Sequence, residues 1–356
     1  QPAIWRSIGT RRMGPKIISG PLARGPWPLI WFRLLVASAQ AATVCITWPL
    51  WQVRDNPPLL PAVSLPQIDT GWPMLASLAV VLIAPRIGVA LHAAVLLTAI
   101  VLDQTRLQPE LISMWFLLLA TLPAAEAKLL GRMHLAALWF FSGFHKIISP
   151  HYYGVFTGWL WSQIVPGASA TGGIWMAGVV AVVELLLGVM VLVPRTRRMA
   201  GWTALVLHLG VLASLVYVRW NEAIWPWNIA LAFSGLALVR PWRESLVADF
   251  ARVGVWCRVA AAVLLISPLG YYLGIVDAYL AHCLYSSNLP MAHWHGRELV
   301  GYTIPTLHVP LPPTYRTYKA YFHATAQPGD EMVIDDPRWC ARVFGYAHQD
   351  VRQPAE

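Results

Sequence analysis

The chain has 356 residues, 57% of them hydrophobic and only 12% charged, with 19 tryptophans. Soluble domains carry about 25% charged residues, so this composition and a positive mean hydropathy exclude a soluble domain and predict an all-α integral membrane protein. The net charge of +9 then reads as topology, because Lys and Arg collect on cytoplasmic loops, and it gives no ground for a nucleic-acid partner.

Residues 1–27 carry Arg6, Arg11, Arg12, Lys16 and Arg24, and no small-residue cleavage site follows the first apolar run closely. They read as a basic cytoplasmic segment ahead of a retained first span. A span needs about 20 apolar residues. The candidates are 28–50, 71–85, 87–104, 110–130, 132–149, 172–194, 199–219, 222–240 and 254–276. Only Pro85 and Arg86 part the second from the third, so 71–104 is either a tight hairpin or one broken segment.

Charge placement orients the set. With the N-terminus inside, inner loops hold Arg86, Lys128, Arg132, Arg195, Arg197, Arg198, Arg240, Arg243, Arg252 and Arg258. Outer loops hold Arg54, Arg106, Lys146 and Arg219, one each. This asymmetry fits nine spans with the C-terminus outside. The expectation is a polytopic bundle of eight or nine transmembrane helices over 28–276, in the inner (cytoplasmic) membrane of a bacterium. The lipid bilayer is its first partner.

Two stretches are not plain spans. Residues 150–171, "PHYYGVFTGWLWSQIVPGASAT", suit an interfacial segment with Trp159 and Trp161 at headgroup level. Residues 277–356 turn to ordinary polarity, with "IPTLHVPLPPTY" and a strand-like "EMVIDD" after the turn "QPGD". They read as a small periplasmic tail domain. A unit of that size is marginal alone, so it is expected to pack on the bundle.

Within "FFSGFHKIISPHYYG", His145 and Lys146 stand side by side at the outer end of a span. A lysine in hydrocarbon costs roughly 2.5–3.5 kcal/mol on insertion scales. His134, Leu138, Phe141 and His145 share one helical face. On one reading Lys146 snorkels to the interface and His145 bonds a carbonyl of a neighbouring helix. On the other, both are catalytic and border a cavity, with Lys146 as base or anion partner.

Glu184 and His208 are the most deeply placed ionisable groups, on adjacent spans. Intramembrane charges face the bundle interior and pair, so Glu184–His208 and Glu184–Arg33 are the expected pairs, and Glu184, His208, Arg33 and Trp159 are the candidate pocket residues. Asp103 and Arg106 have the i,i+3 spacing of a salt bridge. Asn228 requires a hydrogen-bond partner on another helix. His92, His134 and His208 are lone span histidines, compatible with haem or chlorophyll ligation. In the tail, His282, His293 and His295 are weak metal candidates without a fourth ligand of clear spacing, and no metal is expected. Cys45, Cys257, Cys283 and Cys340 form no CxxC and read as small buried hydrophobes.

"WFRLL" with Arg33, "SGFHKI" and "WPWNIAL" together resemble the HTTM superfamily, the membrane domain shared with vitamin K-dependent γ-carboxylase, over about residues 28–275. In γ-carboxylases the second lysine of the Lys-Lys pair is the base that works with reduced vitamin K. The resemblance maps that role onto Lys146, with His145 in place of the first lysine. DoxX-like and MauE-like quinone-linked proteins share the "G-x-x-K" ending of a span, here Gly143 to Lys146, whereas the MauE-like redox role wants paired cysteines.

Two functions follow as expectations. The first is an HTTM-like membrane protein that interacts with a quinone or a lipid through Lys146. The second is a non-catalytic accessory subunit or assembly factor of a larger respiratory or photosynthetic membrane complex. A transporter is less favoured, since no symmetric pair of broken spans is present.

Overall fold

The computed structural model describes residues 27–353 except 166, 168, 287, 295–296, 299–302 and 305. The basic segment before Trp27 and the candidate ligand His295 lie outside the described residues.

The chain is mostly helical. The bundle helices are α1 (Trp27–Ile46), α2 (Gly71–Ile83), α3 (Pro85–Leu102), α4 (Pro109–Ala120), α5 (Ala125–Ile147), α6 (Thr157–Ile164), α7 (Ala170–Leu192), α8 (Arg197–Tyr217), α9 (Trp225–Ser234), α10 (Leu246–Arg252) and α11 (Val255–Ile266). A π-helical turn carries α9 on to Val239, and a 3-10 turn carries α11 on to Leu273 past Pro268. Among the described residues, six helical segments are long and apolar enough to cross a membrane: 29–46, 85–102, 171–192, 197–217, 222–239 and 255–273. The chain is therefore a multi-pass membrane protein. α2 and α4 are apolar but shorter, at 13 and 12 residues. α5 has 23 residues but carries Glu126, Lys128, Arg132 and Lys146.

Proline sets several of these boundaries. α2 and α3 are two helices parted at Ala84, with Pro85 opening the second. They fold back tightly: a Cβ on Gly88 would come within 2.2 Å of the Val81 nitrogen. His92 Nδ1 lies 2.7 Å from Ser77 Oγ across the same hairpin. The break expected near residue 131 falls instead at 121–124, where Pro123 cannot continue α4.

Buried arginines and their partners mark both ends of the bundle. At one end Arg33 donates to Thr121, Arg132 approaches Asp249 at 3.7 Å, and Arg197 stacks on the Trp242 ring at 3.3 Å. At the other, Asp103 accepts from Thr105 N–H and pairs with Arg54 at 2.6 Å and with Arg106 at 3.7 Å. Lys146, at the end of α5, lies at this second end, and so does the C-terminal region, where Gln108 donates to the Pro310 carbonyl.

The C-terminal region holds more strand than the single piece read from sequence. β1 (Met291–Trp294), β2 (Arg297–Glu298), β5 (Glu331–Asp335) and β6 (His348–Arg352) form an antiparallel sheet ordered β2-β1-β5-β6. β3 (Thr303–Ile304) pairs with β4 (Val309–Pro310), and α12 (Tyr315–Thr325) and α13 (Trp339–Val343) complete the region. Ala292, Phe322, Met332 and Ile334 belong to the same buried apolar cluster as the bundle residues Leu111 and Leu135. Between bundle and sheet, residues 277–286 tuck back against the helices. Ala281 O meets His145 Nε2 at 3.0 Å, and the His282 ring stands edge-on to His134 at 5.3 Å.

Candidate functional site

α5 is the most buried long helix, and it packs against α4, α7 and α11. Its approach to α7 depends on glycine. A Cβ on Gly143 would stand 2.3 Å from the Leu185 nitrogen, and one on Gly188 would stand 2.4 Å from the Phe140 nitrogen. Small residues at a helix crossing let backbones close in where lipid offers no hydrophobic drive. One turn beyond Gly143 along α5, and one turn before Gly188 along α7, stand Lys146 and Glu184.

These two residues form an ion pair, with Lys146 Nζ 2.5 Å from Glu184 Oε2. Ser142, one turn before Lys146, closes a triangle. Lys146 Nζ lies 2.7 Å from Ser142 Oγ, and Ser142 Oγ donates to Glu184 Oε2 at 3.0 Å. The side chains of Lys146 and Glu184 are 5% and 10% exposed, so this is a buried pair rather than a snorkelling lysine. A buried charge keeps its place only with a partner and hydrogen bonds, and the triangle supplies both.

The pair sits between two voids. On one side is a cavity of about 450 Å³ among α6, α7 and α8, bordered by Trp161, Met176, Val179, Val206 and Gly210. Its walls are mainly apolar. Met176, Val179 and Val206 along its walls are exposed, so the cavity is open rather than sealed. On the other side is a void of about 50 Å³ that reaches Trp139, His208 and Asn228.

His208 is locked in one tautomer. The Trp139 indole N–H donates to His208 Nε2 at 2.8 Å, so the ring proton sits on Nδ1 and donates to Asn228 Oδ1 at 3.1 Å. Asn228 in turn donates to the Ile224 carbonyl. His208 is thus a neutral neighbour of the ion pair across the small void. The pairing of Glu184 with His208 expected from sequence is replaced by Glu184–Lys146.

Arg33 is far from this site. It sits nearly two turns into α1, where the end of α4 leaves carbonyls uncapped, and its guanidinium donates to Thr121 Oγ1 at 2.9 Å and to Thr121 O at 3.0 Å. Glu184–Arg33 is therefore not the pair that forms. His145 points away from Lys146. Its Nε2–H donates to Ala281 O, and its Nδ1 accepts from Tyr272 Oη at 2.6 Å, which itself accepts from Asn288. Trp159 packs edge-on to Trp220 at 5.3 Å, and it is Trp161 that borders the cavity. Among the weak metal candidates, His282 lies in the bundle against His134, and His293 lies in the sheet 4.0 Å from Asp335. No group of three His, Cys, Asp or Glu residues with metal-site geometry occurs among the described residues.

Sequence reasoning did not single out Ser142 or Trp139, and it placed Trp161 at headgroup level rather than on a cavity wall. The signal for Ser142 was its i,i+4 spacing to Lys146 on one helix face. Trp161 is one of several interfacial aromatics and carries no distinguishing local signal.

The family described as methylamine utilisation protein MauE matches residues 124–223. That stretch runs from the start of α5 to just before α9, less than half of the chain, and it contains Ser142, Lys146, Glu184 and His208. No curated protein and no solved structure matches the chain.

Proposed function

We propose that this chain binds an amphiphile of the quinone or lipid class in the cavity among α6, α7 and α8, with the Lys146–Glu184 pair against its polar head. One observation carries the reading: an ion pair bridged by a serine forms part of the wall of an open, mainly apolar cavity among helices long enough to cross a membrane. Ligand sites are largely apolar with a few placed polar groups. A quinone carbonyl or an anionic headgroup suits the remaining N–H of the Lys146 ammonium, since the Ser142 proton is already given to Glu184.

Lys146 as found is a donor. To serve as a base it must first pass its proton to Glu184 Oε2, 2.5 Å away, leaving a neutral amine beside a neutral acid. An apolar ligand that fills the cavity favours that neutral pair, because desolvation penalises charge. The resemblance of "SGFHKI" to γ-carboxylase-like domains supports the same role for Lys146.

The family match favours a second, compatible reading. MauE is described as serving methylamine utilisation, which supports an accessory protein that works beside other membrane or maturation components. In both readings the helices from α1 to α11 make nine crossings of a bacterial inner membrane. The basic N-terminal end is cytoplasmic, and the sheet region is a periplasmic domain.

The test is gentle extraction from native membranes, followed by sizing and mass spectrometry of what travels with the chain. A stoichiometric quinone or lipid that is lost in Lys146→Met supports the binding reading. Co-migration with a large complex and no bound amphiphile supports the accessory reading instead. A bare chain with neither sinks both.

A further inference from the structure

A second pocket lies at the end of the bundle that carries the sheet region. It holds about 140 Å³ between the start of α4, the turn before α9 and residues 279, 283–285 and 289. Four aromatic residues border it: Trp220, Trp227, Tyr279 and Tyr285. Among them stands Glu110, which is 2% exposed. None of the described lining residues is Lys, Arg or His. Asn221 adds a second acceptor: its Oδ1 is buried without a partner, while its Nδ2 donates to Tyr285 Oη at 2.6 Å.

A carboxylate in the first turn of a helix is favoured by the helix dipole. That term is smaller than what burial of an unpaired carboxylate loses, so the dipole alone does not balance Glu110. The backbone around the pocket is also held in an uncommon shape, since Asn221 and Tyr285 have φ of 50° and 51°. Residues held this way persist where the surrounding structure fixes them, and they concentrate at ligand sites.

We infer that this pocket binds a small alkylammonium ion, with Glu110 as its counter-charge, Asn221 Oδ1 as a second acceptor and the aromatic rings as its walls. Glu110 has a hydrogen bond from its own backbone N–H but no cation beside it among the described lining residues, so an ammonium head supplies its counter-charge and an N–H donor for Asn221 Oδ1. Ring faces attract cations, and a short alkyl tail suits the apolar remainder of the pocket. A hard metal ion fits poorly, because Ca²⁺ takes about 6–8 oxygen ligands and the side chains here offer one carboxylate and the two amides of Gln108 and Asn221. The inference is independent of the Lys146 site, although Trp220 and Tyr285 border both cavities.

The experiment is equilibrium binding of radiolabelled ethylammonium to the full chain in lipid nanodiscs. Saturable binding is expected, with no competition from ethanol, the neutral molecule of similar shape. Glu110→Gln is expected to weaken binding at least about tenfold, the scale of one lost charged hydrogen bond. If Glu110→Gln fails to fold, Glu110→Asp is read in its place: weaker binding supports the site, and unchanged binding overturns it. Absence of saturable binding to the wild-type chain, or equal binding by a folded Glu110→Gln protein, also overturns it.

Discussion

Lys146 Nζ lies 2.5 Å from Glu184 Oε2, and that contact ties α5 to α7 where the large cavity meets the small void. Each residue makes the other tolerable inside the bundle. Lys146→Met leaves Glu184 buried without its cation, and Glu184→Met leaves the reverse. Each single change is expected to cost about 3–5 kcal/mol, whereas the double change to Met is expected to recover most of it. Unfolding titrations of the four proteins in mixed micelles measure this. Additive losses in the double variant would mean that the two charges do not depend on each other.

The α5–α7 crossing makes a second prediction with an internal control. Gly143→Ala places a methyl 2.3 Å from the Leu185 nitrogen, which backbone cannot yield without separating the helices. A loss of about 1–3 kcal/mol is expected, the range for overpacking. Gly178 lies on the same helix pair, but a Cβ there meets nothing within 4 Å. Gly178→Ala should be neutral or slightly stabilising, because Ala suits a helix better than Gly. Equal thermal midpoints for the two variants would count against the tight crossing.

How much of this was legible in the sequence depends on distance along the chain. The helices were readable from apolar runs, and their misplaced boundary followed from giving Pro123 too little weight. Asp103 and Arg106 were readable as a pair because they are three residues apart, and they do approach within 3.7 Å. Glu184 was readable as a group needing a partner, but its partner was not, since Lys146 is 38 residues away and only the helix crossing brings them together. Both Gly143 and Gly188 lay in plain view, and a rule pairing small residues across neighbouring spans would have favoured Lys146 over Arg33. The sheet escaped for a different reason. Two of its strands are short and lack alternation, and β1 gains its order from long-range pairing with β5.

Filling the cavity tests whether it is a binding site. Gly210 borders it, and a Cβ there would meet no atom within 4 Å, so Gly210→Phe projects a ring into open space. The fold is expected to tolerate this, because no packed neighbour is displaced. The amount of quinone or lipid that co-purifies per chain is expected to fall to a small fraction of wild type. Quantitative extraction followed by mass spectrometry reads this directly. An unchanged content alongside an unchanged unfolding midpoint would show that the cavity is not where the amphiphile sits.

In the sheet region, the pairing of β5 with β6 is expected to weaken as pH rises. His348 Nδ1 lies 2.6 Å from Asp335 Oδ1, and His348 Nε2 lies 3.4 Å from Asp350 Oδ1. The hydrogen bond to Asp335 raises the His348 pKa above 6.5, with the nearby charge of Asp350 acting in the same direction. A histidine whose folded pKa is raised stabilises fully below its unfolded value, and the contribution is lost as pH climbs through the folded value. The effect is small, because the imidazole is exposed and water screens the contact. His293 also faces Asp335, with Nε2 4.0 Å from Oδ2, so the comparison must isolate His348. Hydrogen exchange of β5 and β6 amides, corrected for its intrinsic pH dependence, should show less protection at pH 8 than at pH 6. In His348→Gln that difference should shrink, since the amide keeps a donor for Asp335 but carries no titrating charge. A difference of equal size in both proteins would assign the pH response to another group.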